Sequence, residues 1–373
     1  MKIIARGTVA GTQPGGRPES RAFPGICVLP SGRWLCGFRA APVKAEMTGQ
    51  RAMLSMSDDQ GRTWSRPVAP FEPPDIDGKP GLFRALFCTA LGGEDVLALV
   101  YWVDHSQPEL PFFNEETQGL LGSRLFMAQS ADAGQTWTAP KLIDTDPFHI
   151  PTPPTGPVLV LPDGSWACQF ELNKPYLDPE PWRHASVLLF SPDQGRTWPE
   201  HVLTSKDPAN RIFYWDQRPA VLGSGRMLDL FWTYDTADCA YLNIHARESL
   251  DLGRTWSEMW DTGVPGQPAQ PLLLDDGRLL MVYVDRTEAP AIKARLSSDG
   301  GRTWPETTEL LLCEAKPRDD RRKQSMQDAW DEMTAFALGL PATAKLPEGD
   351  ALVVYYSGPE PDDTDIKWLR LRA

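Results

Sequence analysis

Apolar residues in this chain come in short runs, each broken by a glycine-bearing turn and then resumed. The clearest pairs read GICVLPSGRWLCGF, GPVLVLPDGSWACQF, PAVLGSGRMLDLFW, PLLLDDGRLLMVYV and TAKLPEGDALVVYY. ALFCTALGGEDVLALVYW is a looser sixth copy. A run, a tight turn and a second run predict an antiparallel strand pair. A second, polar pattern recurs between these pairs: SDDQGRTW from Ser57, SADAGQTW from Ser130, SPDQGRTW from Ser191, SLDLGRTW from Ser249 and SSDGGRTW from Ser297. The shared form is Ser-x-Asp-x-Gly-x-Thr-Trp, and successive copies start 73, 61, 58 and 48 residues apart.

The octapeptide has the chemistry of a hairpin turn. Its Asp accepts backbone N–H bonds locally, its Gly supplies a positive φ, and its Trp buries a large ring. Catalysis or calcium binding by these Asp residues is the competing reading, but catalytic groups rarely come in five identical copies. Each octapeptide follows a further β-like run: AMLSM, RLFMAQ, SVLLF, LNIHARE and IKARL. The repeating unit is therefore four antiparallel strands, and six units predict an all-β, six-bladed β-propeller. The last unit ends at strand C, DIKWLRLRA, so the N-terminal KIIARGTVA is expected to supply its fourth strand and close the ring. Length alone suggests two or three domains at ~150 residues each. The repeat instead assigns residues 1–373 to one domain.

Composition changes this picture little. The 36 Pro and 30 Gly argue against long helices, and five of the 14 Trp belong to octapeptides. Net charge is −13, from 37 basic and 50 acidic residues, which is the wrong sign for a nucleic-acid partner or an anionic membrane. The one basic cluster, Arg318–Lys323, is interrupted by Asp319 and Asp320. The longest apolar run, Val96–Val103, is too short to span a bilayer. The N-terminus lacks the pattern of a signal peptide. The six cysteines are scattered, with no CxxC and no metal-ligand spacing. A reducing, cytoplasmic location follows as an expectation, with no metal and no cofactor. The oligomeric state is left open.

With five such octapeptides on six blades, the chain resembles the sialidase (neuraminidase) superfamily, whose propellers carry these Asp boxes, also called BNR repeats. The resemblance covers essentially the whole sequence and implies carbohydrate chemistry. It also implies an Arg-Ile-Pro at the first inner strand, whose arginine joins two others on the substrate carboxylate. The nearest match is Arg21-Ala22-Phe23-Pro24, with one extra residue before the proline. Arg39 matches a family arginine at the end of strand B in blade one. In the loop where the family keeps its acid/base Asp, Glu46 is the one carboxylate. The stretch DEMTAFALGLPATA, where the nucleophilic Tyr belongs, contains no Tyr, and Tyr355 and Tyr356 end strand B instead. The usual Tyr nucleophile and Arg triad are thus not intact.

Ligands in propellers bind in the central funnel, reached by strand A starts, strand B ends and the B-to-C loops. Glu171, Asp216 and Asp104 are the expected carboxylate catalysts there. Arg21, Arg39, Arg218 and Arg286 are the expected anchors for an acidic or polar glycan. His105, Tyr214, Tyr234, Asp235, Gln270, Trp330 and Tyr356 complete the expected contact set. Asp216 with Arg218 reads equally as a structural ion pair, and His105 as an exposed loop residue. The leading function is an exo-acting glycoside hydrolase. A uronate-directed polysaccharide lyase and a non-catalytic glycan- or protein-binding propeller are the alternatives.

Overall fold

Every octapeptide closes its turn in the same way. In the first, the Ser57 hydroxyl donates to Asp59 (2.9 Å) and accepts the Gly61 N–H (2.9 Å). Asp59 accepts the Thr63 N–H (2.9 Å) and hydroxyl (2.7 Å). The same bonds recur around Asp132, Asp193, Asp251 and Asp299. The turn needs two successive positive φ angles, 59° at Gln60 and 82° at Gly61, which is why glycine recurs at the second. Bonds from Thr136 hold the Asp132 carboxyl down at about 2. These aspartates are acceptors that shape turns.

The computed structural model describes residues 1–373 apart from Pro14, Ser224, 287–289 and 316–324. The basic cluster Arg318–Lys323 lies outside the described residues. The six sheets are the blades of a β-propeller. Blade one holds Ser20–Val28, Trp34–Ala41 and Arg51–Ser57, and Val68 bridges Leu54 in place of a regular fourth strand. Blade two holds Gly81–Gly92, Asp95–Asp104, Ser123–Ser130 and Lys141–Leu142. Blade three holds Leu159–Val160, Trp166–Leu172, Ala185–Ser191 and Glu200–Ser205. In blade four, two short inner strands, Ile212–Trp215 and Ala220–Val221, pair with Met227–Asp235, followed by Asn243–Ser249 and Trp260–Pro265. In blade five, Gln267–Pro268 and Leu272–Leu273 share the partner Leu279–Asp285, followed by Ala291–Ser297 and Leu310–Glu314.

Blade six joins the two ends of the chain. Leu338–Lys345, Ala351–Glu360 and Asp363–Arg372 are completed by Lys2–Ala10, in a register running from Lys2 opposite Arg372 to Ala10 opposite Ile366. The second strands are buried on both faces by neighbouring blades. Trp34–Ala41 and Leu279–Asp285 accordingly have every residue buried and are apolar apart from Arg39 and Asp285.

Two features depart from a regular blade. A helix, Met326–Ala335, precedes the inner strand of blade six, opened by a capping box between Ser325 and Asp328. The innermost strands are also irregular at one level. Blade one shifts register between Ala22 and Gly25, with φ 54° at Phe23. Blade two shifts between Phe83 and Ala85, and blade six between Gly339 and Ala342. In blade four the strand breaks at Asp216, where φ is 55°. Such bulges re-aim side chains, and here they turn several toward the axis.

Candidate active site in the central cavity

A cavity of ≈ 450 Å³ opens on the axis, lined from every blade. None of the octapeptide turns contributes to it. Its acidic centre is Glu171, at the end of a blade-three strand, beside Asp216 at the blade-four break. The Asp216 N–H donates to Glu171 Oε1. Asp216 Oδ2 accepts the Gln267 amide at 2.5 Å, and Oδ1 faces Arg218 Nη2 at 2.7 Å. Burial pushes the Asp216 carboxyl up, and the Glu171 charge adds to this against the pull of Arg218. Behind Glu171, His184 Nε2 lies 3.8 Å from Oε2, with its side chain only 1% exposed.

Cations surround this pair. Arg218 also donates from Nε to the Pro268 carbonyl (3.3 Å). Arg286 donates to Gln267 Oε1 (2.8 Å) and stands 3.9 Å over the Phe336 ring. Arg39, 1% exposed, donates to the Lys44 carbonyl (2.9 Å). Arg84, on the blade-two bulge, donates to Gln50 (2.8 Å) and stands 4.3 Å over Phe112. Tyr356 brings a phenol 3.3 Å from Lys44 Nζ. Burial raises that phenol, while Arg286 and Arg39 pull it down.

Aromatic rings form part of the wall. Trp182, Trp215 and Trp232 line one side, with Trp215 tilted against Trp232 at 5.6 Å. In the same apolar cluster, Trp330 of the helix stacks on Phe113 from the blade-two loop, with centroids 4.4 Å apart. Lys44 reaches from blade one and donates to the Met333 (3.0 Å) and Phe336 carbonyls, holding the end of that helix.

Of the residues expected from sequence, Glu171, Asp216, Arg39, Arg218, Arg286, Gln270, Trp330 and Tyr356 all line the cavity. Gln270 does so with its amide donated to the Pro219 carbonyl (2.7 Å). The others stand outside its lining. Arg21 pairs with Glu19 (3.1 Å), and its backbone N–H donates to Thr364 (2.8 Å), which ties blade one to blade six. Asp104 meets Lys79 (3.1 Å) and the Ser106 hydroxyl (2.6 Å). His105 follows it in the same turn, its N–H donated to the Pro80 carbonyl. Tyr214 turns away toward Phe231 and His245. Tyr234 stacks behind Trp215 at 4.8 Å, and Asp235 is held by Arg211 (2.6 Å). Arg84, Tyr101, Gln169 and Trp182 line the cavity without having been singled out. Among the described residues, no group of three or more His, Cys, Asp or Glu could hold a metal ion. No described helix is long and apolar enough to cross a membrane.

A family model described as a BNR repeat-like domain matches residues 96–317, more than half of the chain. A sialidase from Micromonospora viridifaciens is 26% identical over 210 residues, covering 49% of this chain and 31% of that protein. The chain thus matches about a third of that relative's length. Among solved structures, a protein of unknown function from Dyadobacter fermentans superposes with a TM-score of 0.74 at 19% identity, over 99% of this chain and 98% of that one. The Hadza microbial sialidase Hz136 gives 0.64 at 17% identity, over 95% and 66%. The NanB sialidase of Streptococcus pneumoniae gives 0.61 at 13%, over 98% and 70%. At these identities the likeness carries the sialidase-like propeller fold, not the chemistry.

Proposed function

The chain belongs to the BNR repeat-like domain family, and from that premise we propose that it is a carbohydrate-active enzyme, a glycoside hydrolase working at the end of a polar glycan. One observation carries the reading: two neighbouring acidic residues, Glu171 and Asp216, joined by the Asp216 backbone N–H to the Glu171 carboxylate, line an aromatic and cationic cavity. Glycoside hydrolysis needs a proton donor and an unprotonated carboxylate at one bond. Burial raises the Asp216 carboxyl, which favours Asp216 as the proton donor. In the proposed step Asp216 gives its proton to the glycosidic oxygen as the bond to the anomeric carbon breaks. Water adds to that carbon, and Glu171 takes the proton it releases. Trp182, Trp215 and Trp232 offer faces for sugar rings, and Gln267 and Gln270 offer amides for hydroxyls. A matched relative named a sialidase supports a glycan substrate. Six unpaired thiols support a reducing compartment.

A lyase is the second reading, favoured by Tyr356. Its phenol lies by Lys44 and near Arg286 and Arg39, an arrangement suited to removing a proton beside a neutralised sugar carboxylate. A panel of aryl glycosides and acidic oligosaccharides separates the two. Aryl alcohol release with a reducing sugar end supports hydrolysis. Absorbance from a new carbon–carbon double bond supports elimination, and absence of turnover across the panel overturns both.

A further inference from the structure

Taking a proton from water, the task given to Glu171, depends on where its two carboxylate oxygens are held. Oε1 accepts the Asp216 N–H from blade four. Oε2 faces His184 Nε2 at 3.8 Å. The blade-three register puts the imidazole there. Glu171 and Ser186 are direct partners across Trp166–Leu172 and Ala185–Ser191. His184 stands two residues before Ser186, so strand alternation puts its ring on the Glu171 face, as a diagonal neighbour. That face meets blade four, where the Ser186 hydroxyl donates to the Tyr214 carbonyl (3.0 Å). By the same alternation Arg183 is exposed while Trp182 and His184 are buried.

The approach to His184 is pinned on both sides. Trp182 Nε1 donates to the Leu172 carbonyl (3.0 Å), and the Trp182 carbonyl accepts the Asn210 amide (2.8 Å). The imidazole then stacks on Phe213, with centroids 5.2 Å apart, and meets Trp182 edge-on at 5.8 Å. Its side chain is 1% exposed, so it cannot turn to solvent. Among the described residues, Nε2 has no hydrogen-bond partner, and Glu171 is the one carboxylate within ion-pair reach of it. Leaving a buried polar nitrogen unpaired is costly. An apolar side chain would fill this aromatic enclosure without that cost, so the imidazole is there for its nitrogen. At 3.8 Å the contact is longer than a hydrogen bond, and contacts of this kind in empty sites tighten when substrate enters.

We propose that His184 is the positioning residue of Glu171. Its Nε2–H donates to Oε2, fixes the carboxylate where blades three and four meet, and leaves the remaining lone pairs for the attacking water. The contact closes to hydrogen-bond length when a ligand fills the cavity. The imidazole keeps its hydrogen throughout, and the proton released by water stays on Glu171. This inference rests on the hydrolase reading for the role of Glu171 and goes beyond it in naming what holds that base.

Two readouts test it. The first is independent of turnover: proton–nitrogen NMR of protein labelled in its five histidines, with the His184 signals identified by their loss in His184→Gln. A hydrogen is expected on His184 Nε2, and among the five residues Glu171→Gln should shift that nitrogen most. An Nε2 without hydrogen, or a signal that Glu171→Gln does not move, overturns the proposal. The second readout is kinetic, on the best substrate of the panel above. Misplacing a reacting group by about 1 Å costs on the order of a hundredfold in rate. His184→Met fills the enclosure but cannot donate, so kcat should fall about tenfold or more with KM little changed. His184→Gln, whose amide can donate from a similar place, should recover most of that loss, and the two variants should melt together. Equal activity of His184→Met and His184→Gln, or a loss confined to KM, overturns the proposal and leaves hydrolysis intact. A protein that cleaves no glycoside, yet whose Nε2 signal responds to Glu171→Gln, would sink the hydrolase reading and leave the His184–Glu171 contact standing.

Discussion

Gly37→Ala tests how the blades create the cationic wall. Gly37 lies in Trp34–Ala41, two residues before Arg39, where blade one meets blade two. A Cβ there would sit 2.2 Å from the Leu86 carbonyl oxygen and 2.7 Å from its Cδ2. Contacts under 3.0 Å do not persist, so the two strands must part by at least about 0.8 Å (3.0 less 2.2). The obstacle is backbone, so no side-chain rotation relieves it. Overpacking of this kind costs about 1–3 kcal/mol. At ~2.1 cal/mol/K per residue, a chain of 373 residues has an unfolding entropy near ~0.8 kcal/mol/K, so Tm should fall by about 1–4 °C. Leu86 lies two residues after Arg84, so the same displacement moves Arg39 and Arg84, both in the cavity lining, apart and should weaken glycan binding there. Gly122→Ala is the control: its added Cβ meets only Asp104, at 3.7 Å from Cβ and 3.8 Å from Oδ2, both ordinary contacts. Differential scanning calorimetry and calorimetric titration read the two effects. If Gly37→Ala melts with Gly122→Ala and binds as the parent does, the described contact between blades one and two is wrong.

Asp216→Asn should stabilise the protein in a pH-dependent way. Burial raises the folded-state carboxyl, so its protonated form costs nothing extra below the unfolded carboxylate range of ~3.9. Ionisation is penalised once pH passes above the folded value. The gain over wild type in urea unfolding should therefore be present at neutral pH and vanish toward pH ~4; a constant or reversed difference would argue against the burial account. Ser191→Ala and Ser297→Ala remove the buried hydroxyls that accept the Gly195 and Gly301 N–H groups at 2.7 and 2.8 Å. Each should cost about 1–3 kcal/mol of stability and leave ligand binding untouched, whereas loss of binding at unchanged stability would assign the octapeptides a functional role.

The fold was legible because its signals are local. Each octapeptide is a self-contained hydrogen-bonded turn, and each inner strand pair carries its own glycine turn, so neither depends on distant contacts. The pairing of Lys2–Ala10 with Asp363–Arg372 followed from counting strands. Site residues near strand ends, such as Arg39, Glu171 and Tyr356, could be placed because in their blades the end of the second strand meets the funnel. Arg84 could not, since a one-residue bulge reverses the alternation that sequence reading assumes. Tyr234 and Asp235 show the converse. They end a second strand as expected, but ring stacking on Trp215 and the ion pair with Arg211 take them elsewhere. The helix Met326–Ala335 falls in a stretch expected to lead straight into the last blade. Its one advance sign was Ser325 three residues before Asp328, a capping pair that marks a helix start only locally.

The most direct measurement of the central claim is kcat/KM for Glu171→Gln and Asp216→Asn on the best glycan substrate, beside their unfolding curves. General acid–base catalysis contributes about 10²–10⁴-fold. The account predicts losses in that range for both variants, mainly in kcat, with neither protein destabilised. Activity within a few-fold of wild type in either variant would contradict it.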